Sequence, residues 1–336
     1  NNGVSLTTNK TQPALRSYVV RMRVKVGRKY VYKNVTVYYY VTAANISLYG
    51  NNSFVNNSKL DGLYASADGA ITVFNLTASG NGHGGTANDQ IGNGATLDNC
   101  GFTSPSTCSL TDPYPVTLYG PVNVSTNDNR GLQITSLGAV TLGDVIASGN
   151  TYVGVYINNK LKPELDPAVV RGVTIGGTNV FNGNDSTGLV VLSYGAISLN
   201  NINAYNNGDS TPGTTSGVVL DNAFDRDPLS STGLIVAKDI TMTGVNSFVA
   251  NYFWGLEFNS NGLVSLSRVS ADGNDYGPTD PGGPFIGGGI KGVAQSITLT
   301  CGHMFGNGVV DPGVGYNLQV GLLADGTAPA VAGVLT

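Results

Sequence analysis

One triplet recurs along the chain: a β-branched aliphatic residue, then Ser or Thr, then an apolar residue. It occurs as ISL at Ile46, ITV at Ile71, VTL at Val116 and Val140, VTI at Val173, ISL at Ile197, ITM at Ile240, VSL at Val264 and ITL at Ile297. Apolar–polar–apolar is the period-2 pattern of a strand with one buried face. The intervals between successive triplets are 25, 45, 24, 33, 24, 43, 24 and 33 residues, short alternating with long. A short interval is one turn of a three-sided solenoid, and a long one is that turn plus an inserted loop. The repeating unit is therefore a pair of coils.

A second set of landmarks runs in the same register. Gly-Leu at Gly62, Gly131, Gly188 and Gly255 is followed by Gly69, Gly138, Gly195 and Gly262, then by Ala78, Ala147, Ala204 and Ala271, and then by Asn81, Asn150, Asn207 and Asn274. The intervening coils carry Asn57, Asn127, Asn184 and Asn251. These patterns predict an all-β, right-handed parallel β-helix of about nine coils over residues 46–320, a rod of roughly 40 Å at the usual strand spacing. Ile, Val, Leu and Phe point inward and Ser and Thr outward. The recurrent Asn is expected to occupy a left-handed turn and to bond its counterparts in the coils above and below.

Composition agrees. Charged residues make up 11% of the 336 and Gly numbers 47, which disfavours helices, while 41% apolar content supplies a core. The long intervals place insertions at about 82–93, 98–115, 158–172, 208–216, 221–239 and 275–288, rich in Gly, Pro, Asp and Ser, and such insertions form a ridge suited to binding. No apolar run is long enough for a membrane-spanning helix. The chain opens NNGVSLTT, without a basic or apolar leader, as a mature or trimmed product would.

The stretches GAITVFNLTASGN from Gly69, GAVTLGDVIASGN from Gly138 and GAISLNNINAYNN from Gly195 resemble the parallel β-helix repeats of bacterial surface proteins and adhesins. The resemblance covers about residues 46–320 and implies an extracellular or cell-surface location. Its motifs specify a fold far more than a function.

The ends differ from the repeats. SYVVRMRVKV and KYVYKNVTVYYYVT alternate around a GRK turn and predict a hairpin within a basic arm, residues 1–45, while 321–336 form an apolar end segment. Residues 1–60 hold nine Lys or Arg and no Asp or Glu; the remainder holds eight basic and twenty-one acidic residues. This polarity favours head-to-tail association. The leading expectation is a structural subunit that polymerises with itself into a surface filament, with Arg16, Arg21, Arg23, Lys25, Arg28 and Lys29 of one copy meeting Leu322 and Leu323 of the next. One alternative is an adhesin fragment that binds surface glycans through the loop ridge. The other is a polysaccharide-degrading enzyme.

The residues give the enzyme little support. Gly82-His83-Gly84 matches one element of the polygalacturonase pattern, but no Asp pair precedes it and the Lys291 segment lies far away. His303 is assigned to the line of Asn52, Asn179 and Asn246 as a polar ladder member. Asp221, Asp225 and Asp227 around Arg226 read as hydrated loop carboxylates rather than a Ca²⁺ site. No catalytic residue, cofactor, metal site, nucleic-acid partner or membrane span is expected. Cys100 and Cys108 are close enough to pair as a disulfide, which leaves Cys301 alone. Sequons at Asn9, Asn34, Asn45, Asn51, Asn56, Asn75, Asn123 and Asn184 are candidate glycosylation sites.

Overall fold

The computed structural model describes residues 4–7, 15–26, 29–40, 45–58, 60–82, 92–100, 102–104, 107–108, 114–160, 171–208, 215–223, 238–274, 287–307, 316–324 and 327–330. Every regular element among them is a β-strand. Two large sheets carry the chain back and forth, and the strands of the coils pair in parallel with the coils before and after. With the right-handed crossover that parallel strands demand, the chain is a right-handed parallel β-helix.

The triplets form one sheet in unbroken register. Ile46 pairs with Ile71, and then in turn come Val116, Val140, Val173, Ile197, Ile240, Val264 and Ile297. The first residue of each triplet is buried as far as Val264, and the middle Ser or Thr is exposed or half-buried on all nine rungs. Each buried aliphatic side chain contributes about 1.5–3 kcal/mol, and a lone coil has no second layer to provide that burial.

The second sheet is led by glycine. Its strands Leu63–Ser66, Ala95–Asp98, Leu132–Thr135, Val155–Asn159, Leu189–Ser193 and Val218–Asp221 each follow a Gly directly. Trp254–Asn259, Gly288–Ala294 and Tyr316–Ala324 continue the stack. Beside these strands runs the asparagine ladder, buried from Asn57 to Asn274. In every rung the Nδ2 of one Asn donates to Oδ1 of the next, at 2.7 Å for Asn57 to Asn81 and 2.9–3.0 Å thereafter to Asn307. The same Oδ1 also accepts the backbone N–H of the preceding Asn, as Asn150 does from Asn127 at 3.0 Å. The leading glycines leave room for this ladder. A Cβ on Gly131 would lie 2.3 Å from Val124 O, 2.5 Å from Gly154 O and 2.9 Å from Asn150 Nδ2.

The turn geometry corrects one expectation. The left-handed residue is the one before each ladder Asn: Asn56, Gly80, Thr126, Gly149, Gly183, Asn206, Ala250, Gly273 and Gly306 have positive φ, and the ladder residues do not. Placing the turn one residue earlier lets the carboxamide point along the rod axis rather than out to water.

A second left-handed corner explains why the unit is a pair of coils. It is Gly50, Asn75, Gly120, Asp144, Gly177, Asn201, Gly244, Arg268 and Cys301 in successive coils. A Cβ on Gly120, Gly177 or Gly244 would fall 2.1, 2.3 or 2.2 Å from the side-chain oxygen of Asn75, Asp144 or Asn201. Asp144 and Asn201 also accept the backbone N–H of Thr178 and Val245, each at 2.9 Å. A side chain in one coil thus lies over a bare glycine in the next.

At the ends the boundaries shift. Leu15–Val26 and Lys29–Tyr40 form an antiparallel hairpin, paired from Leu15–Tyr40 to Val26–Lys29, as a sheet of its own. Val4–Thr7 pairs in parallel with Leu63–Ser66, so part of the 1–45 segment is a solenoid rung. Tyr316–Ala324 runs past residue 320, and Thr327–Ala330 folds back against it, with Leu322 paired to Ala330. The chain itself thereby covers one edge of that strand. Most of the predicted insertions lie outside the described residues. Chain order nevertheless anchors all six at ends of glycine-led strands: 82–93, 208–216 and 275–288 lead into them, and 98–115, 158–172 and 221–239 leave them.

Candidate functional site

The outer faces of the two sheets differ. On the triplet sheet the central outward residue is Ser or Thr on every rung. On the glycine-led sheet the equivalent line runs Tyr64, Thr96, Gln133, Tyr156, Val190, Val219, Glu257 and Lys291 in register. A parallel line two residues on includes Asp98, Asn158, Asp221 and Asn259. Eight rungs at the strand spacing make a face about 34 Å long.

Three clusters occupy it. The first begins at Asp61, whose carboxylate accepts the backbone N–H of Asn93 at 2.9 Å and the hydroxyl of Thr96 at 2.5 Å. Burial pushes the Asp61 carboxyl above the usual carboxylate range, and those hydrogen bonds only partly oppose it. Asn93 in turn accepts the backbone N–H of Arg130 at 3.1 Å. The Arg130 guanidinium lies 5.0 Å from the ring centres of both Tyr152 and Tyr156, and its Nη1 donates to Gln133 Oε1 at 3.0 Å. Its Nε is buried without an acceptor. Burial raises the Tyr156 phenol against the pull of Arg130, and it raises Tyr64 as well, with the Asp98 charge adding to the effect.

The second cluster spans two rungs: Lys160 Nζ meets Asp221 Oδ2 at 2.8 Å and lies 5.6 Å from the Tyr194 ring centre. In the third, Glu257 accepts from Ser216 Oγ and faces Lys291 Nζ at 3.8 Å. Lys291 in turn sits 5.7 Å from the ring of Trp254, which is fully buried with Nε1 unpaired. Between these last two clusters is an open depression of about 310 Å³ lined by Val219, Asp221, Glu257, Asn259, Lys291 and Val293. Its size is at the lower bound for small-ligand sites.

The residues singled out from sequence fall elsewhere, apart from Asp221 and Lys291. His83, Asp225, Arg226, Asp227 and Arg28 lie outside the described residues. His303 pairs across the sheet with Ser270, so Gly302 rather than His303 stands in the line of Asn179 and Asn246. The shift by one residue turns His303 outward, 3.0 Å from Asp272 Oδ1. Arg16, Arg21, Arg23, Lys25 and Lys29 lie in the hairpin strands, and Leu322 and Leu323 lie in Tyr316–Ala324. Cys100 is buried and disulfide-bonded, and Cys301 is free and exposed; the side chain of Cys108, the expected partner of Cys100, is outside the described residues. Among the sequons, Asn45, Asn51 and Asn56 are exposed and Asn75 and Asn123 half-buried, while Asn9 lies outside the described residues and Asn34 is in a hairpin strand. Asn184 is a buried ladder member whose Nδ2 donates to Ala147 O and Asn207 Oδ1, which closes it to an oligosaccharide in the folded chain.

No glycine-face residue other than Asp221 and Lys291 was picked out by motif. A signal existed in the repeat alignment: the residue after each Gly-Leu pair is Tyr64, Gln133, Val190 and Glu257, a line with no consensus amid neighbours that keep one.

Among the described residues no group of three or more His, Cys, Asp or Glu is placed to hold a metal ion. Among the described residues no helix is long and apolar enough to cross a membrane. No family model and no curated protein matches the chain. Two solved structures are similar, both A-modules of mannuronan C-5 epimerases of Azotobacter vinelandii. That of AlgE6 is 15% identical over 82% of this chain and 68% of its own, with a TM-score of 0.34. That of AlgE4 is 14% identical over 77% of this chain and 65% of its own, with a TM-score of 0.30. Likeness at this level adds nothing to the reading of the site.

Proposed function

We propose that the chain is part of an extracellular surface β-solenoid that binds a linear polysaccharide along the outer face of its glycine-led sheet. The contrast between the two faces carries this reading. A solenoid repeats its outward residues when they serve only solubility, as the Ser and Thr of the triplet sheet do. The glycine-led face instead varies rung by rung along its central line and gathers amides, paired charges and the Arg130–Tyr152–Tyr156 group, which suit hydrogen bonding to and stacking on sugars, whereas on the triplet sheet an aromatic row, Tyr49, Phe74 and Tyr119, is confined to the first three coils. Each predicted insertion has one end at this face, although 98–115, 158–172 and 221–239 lead from it into triplet-sheet strands. Binding is the reading carried forward because the two carboxylates that line the depression, Asp221 and Glu257, are each engaged by a lysine, Lys160 and Lys291.

Affinity electrophoresis against a panel of neutral and acidic polysaccharides tests the proposal. Tyr152→Ala and Lys291→Ala are expected to lose retardation that Thr174→Ala, on the triplet sheet, retains. Release of reducing ends or of unsaturated sugars from the same polymers would replace binding with catalysis. Retardation lost equally in all three variants, or absent throughout, overturns the reading.

Head-to-tail filament assembly is the second reading, favoured by the last triplet-sheet coil. Ile297, Leu299 and Met304 are only half-buried there, whereas the matching Val264, Leu266 and Ala271 of the preceding coil are enclosed, and the outward Phe305 is 73% exposed. Electron microscopy should compare the whole chain with one lacking residues 15–40, which removes the basic hairpin and spares the Val4–Thr7 rung. Isolated rods at every concentration from the intact chain exclude assembly.

A further inference from the structure

We infer that the Arg130 cluster is a subsite for the carboxylate of an acidic sugar, so that the polymer on this face carries an acidic residue in register with the strands Leu132–Thr135 and Val155–Asn159. This rests on the polysaccharide reading and specifies its chemistry. Among the described residues three cations stand on the glycine-led face: Arg130, Lys160 and Lys291. Lys160 and Lys291 each have a carboxylate there, Asp221 and Glu257, while Arg130 has none among the described residues. Of its guanidinium only Nη1 is engaged, by Gln133. Nη2 makes no hydrogen bond, and Nε is a buried donor with no acceptor. A buried, charged donor without a partner is costly in a folded chain.

With Nη1 held by Gln133 and Nε enclosed, Nη2 is the guanidinium donor left open to a carboxylate oxygen. Gln133 fixes the plane on one side, and Tyr152 and Tyr156, each 5.0 Å away, flank the cation. The tyrosines also offer ring area for the sugar that bears the acid, and Tyr152 is exposed. The nearest carboxylate in the same chain of contacts, Asp61, is turned to Thr96 and the Asn93 backbone and does not neutralise Arg130.

The test compares binding of polygalacturonate with that of the same polymer after carboxyl reduction, and of a sulfated neutral polymer, at one fixed salt concentration. The wild-type chain is expected to prefer the carboxylated polymer over both others by about tenfold or more, the worth of one hydrogen bond to a charged group. Arg130→Gln should abolish that preference, so that carboxylated and reduced polymers bind alike, with an unchanged circular dichroism spectrum to report an intact fold. Arg130→Lys keeps the cation and loses the planar group that Tyr152 and Tyr156 flank, so it should cut the preference severalfold, and it carries the test if the glutamine variant does not fold. Equal binding of carboxylated and reduced polymers overturns the inference and spares the polysaccharide reading. A preference that survives Arg130→Gln, or one for the sulfated polymer, overturns it as well. Binding to none of the polymers overturns both.

Discussion

Replacing Asn150 by Ala should destabilise the rod far more than replacing Asn57 by Ala, although both are buried ladder asparagines. Asn150 Oδ1 accepts two N–H groups, the backbone and Nδ2 of Asn127, each at 3.0 Å. Truncation leaves both buried donors without that acceptor, and an unsatisfied buried donor costs about 1–3 kcal/mol, so the variant should lose about 2–6 kcal/mol. Asn57 is the first rung, and its side chain serves only as a donor to Asn81 within the ladder, at 2.7 Å. Once it is gone, Asn81 Oδ1 still accepts the Asn57 backbone N–H at 3.1 Å. Only one hydrogen bond is lost and no donor is stranded, a cost of about 1 kcal/mol. Urea unfolding followed by circular dichroism measures the difference, with midpoints as the first comparison because a long stack need not unfold in two states. Equal shifts for the two variants would show that the ladder contributes through packing volume and that donor accounting is the wrong description.

Three further outcomes follow from the same geometry. Gly131→Ala should cost about 1–3 kcal/mol or more, because the added carbon meets backbone oxygens at 2.3 and 2.5 Å, whereas Gly143→Ala, with nothing nearer than 3.9 Å, should be near neutral by thermal melting. The raised Asp61 carboxyl favours the protonated group in the folded state. Its stabilising contribution is therefore full below the unfolded value of 3.8 and is lost as pH rises through the higher folded value. A melting-temperature profile above pH 3.8 should accordingly be flatter for Asp61→Asn than for wild type. Expression in a host that attaches N-linked sugars, followed by peptide mapping, should find Asn184 bare while exposed Asn45, Asn51 and Asn56 accept glycans; a modified Asn184 in folded protein contradicts its place in the ladder.

The sheet registers were legible from sequence because a buried face writes itself at every second residue and the solenoid repeats it on every rung. Ile46 through Ile297 pair as their spacing predicts, and so does the Asn57–Asn274 stack. What escaped was finer than one residue or belonged to a single rung. A turn asparagine and the residue before it carry the same turn propensity, so the left-handed position was placed one residue late, at Asn57 rather than Asn56. His303 was misplaced by one because Gly302 has no side chain with which to mark the inward line. Val4–Thr7 was hidden because a hairpin separates it from the coils it joins. The glycine-led face was hidden for the opposite reason: Arg130, Tyr156, Glu257 and Lys291 are departures from the repeat, and periodicity detects only what recurs.

The alternating corner, in which Asn75, Asp144 or Asn201 covers a bare glycine in the following coil, has a consequence for how such a rod can change length. Adding one coil would set a side chain where its neighbour already projects one, as if Asp144 were stacked on a second Asp144. Adding two restores the alternation. A duplication of residues 140–196 inserts a matched pair and lengthens the rod by about 9.6 Å, two strand spacings. A duplication of 140–172 inserts an odd coil and sets side chain on side chain in mid-rod, a step the chain makes only at its last described corner, Arg268 to Cys301. Within the body of the rod, changes of length should therefore favour even steps, and the spacing between sites along the face should follow the same paired unit.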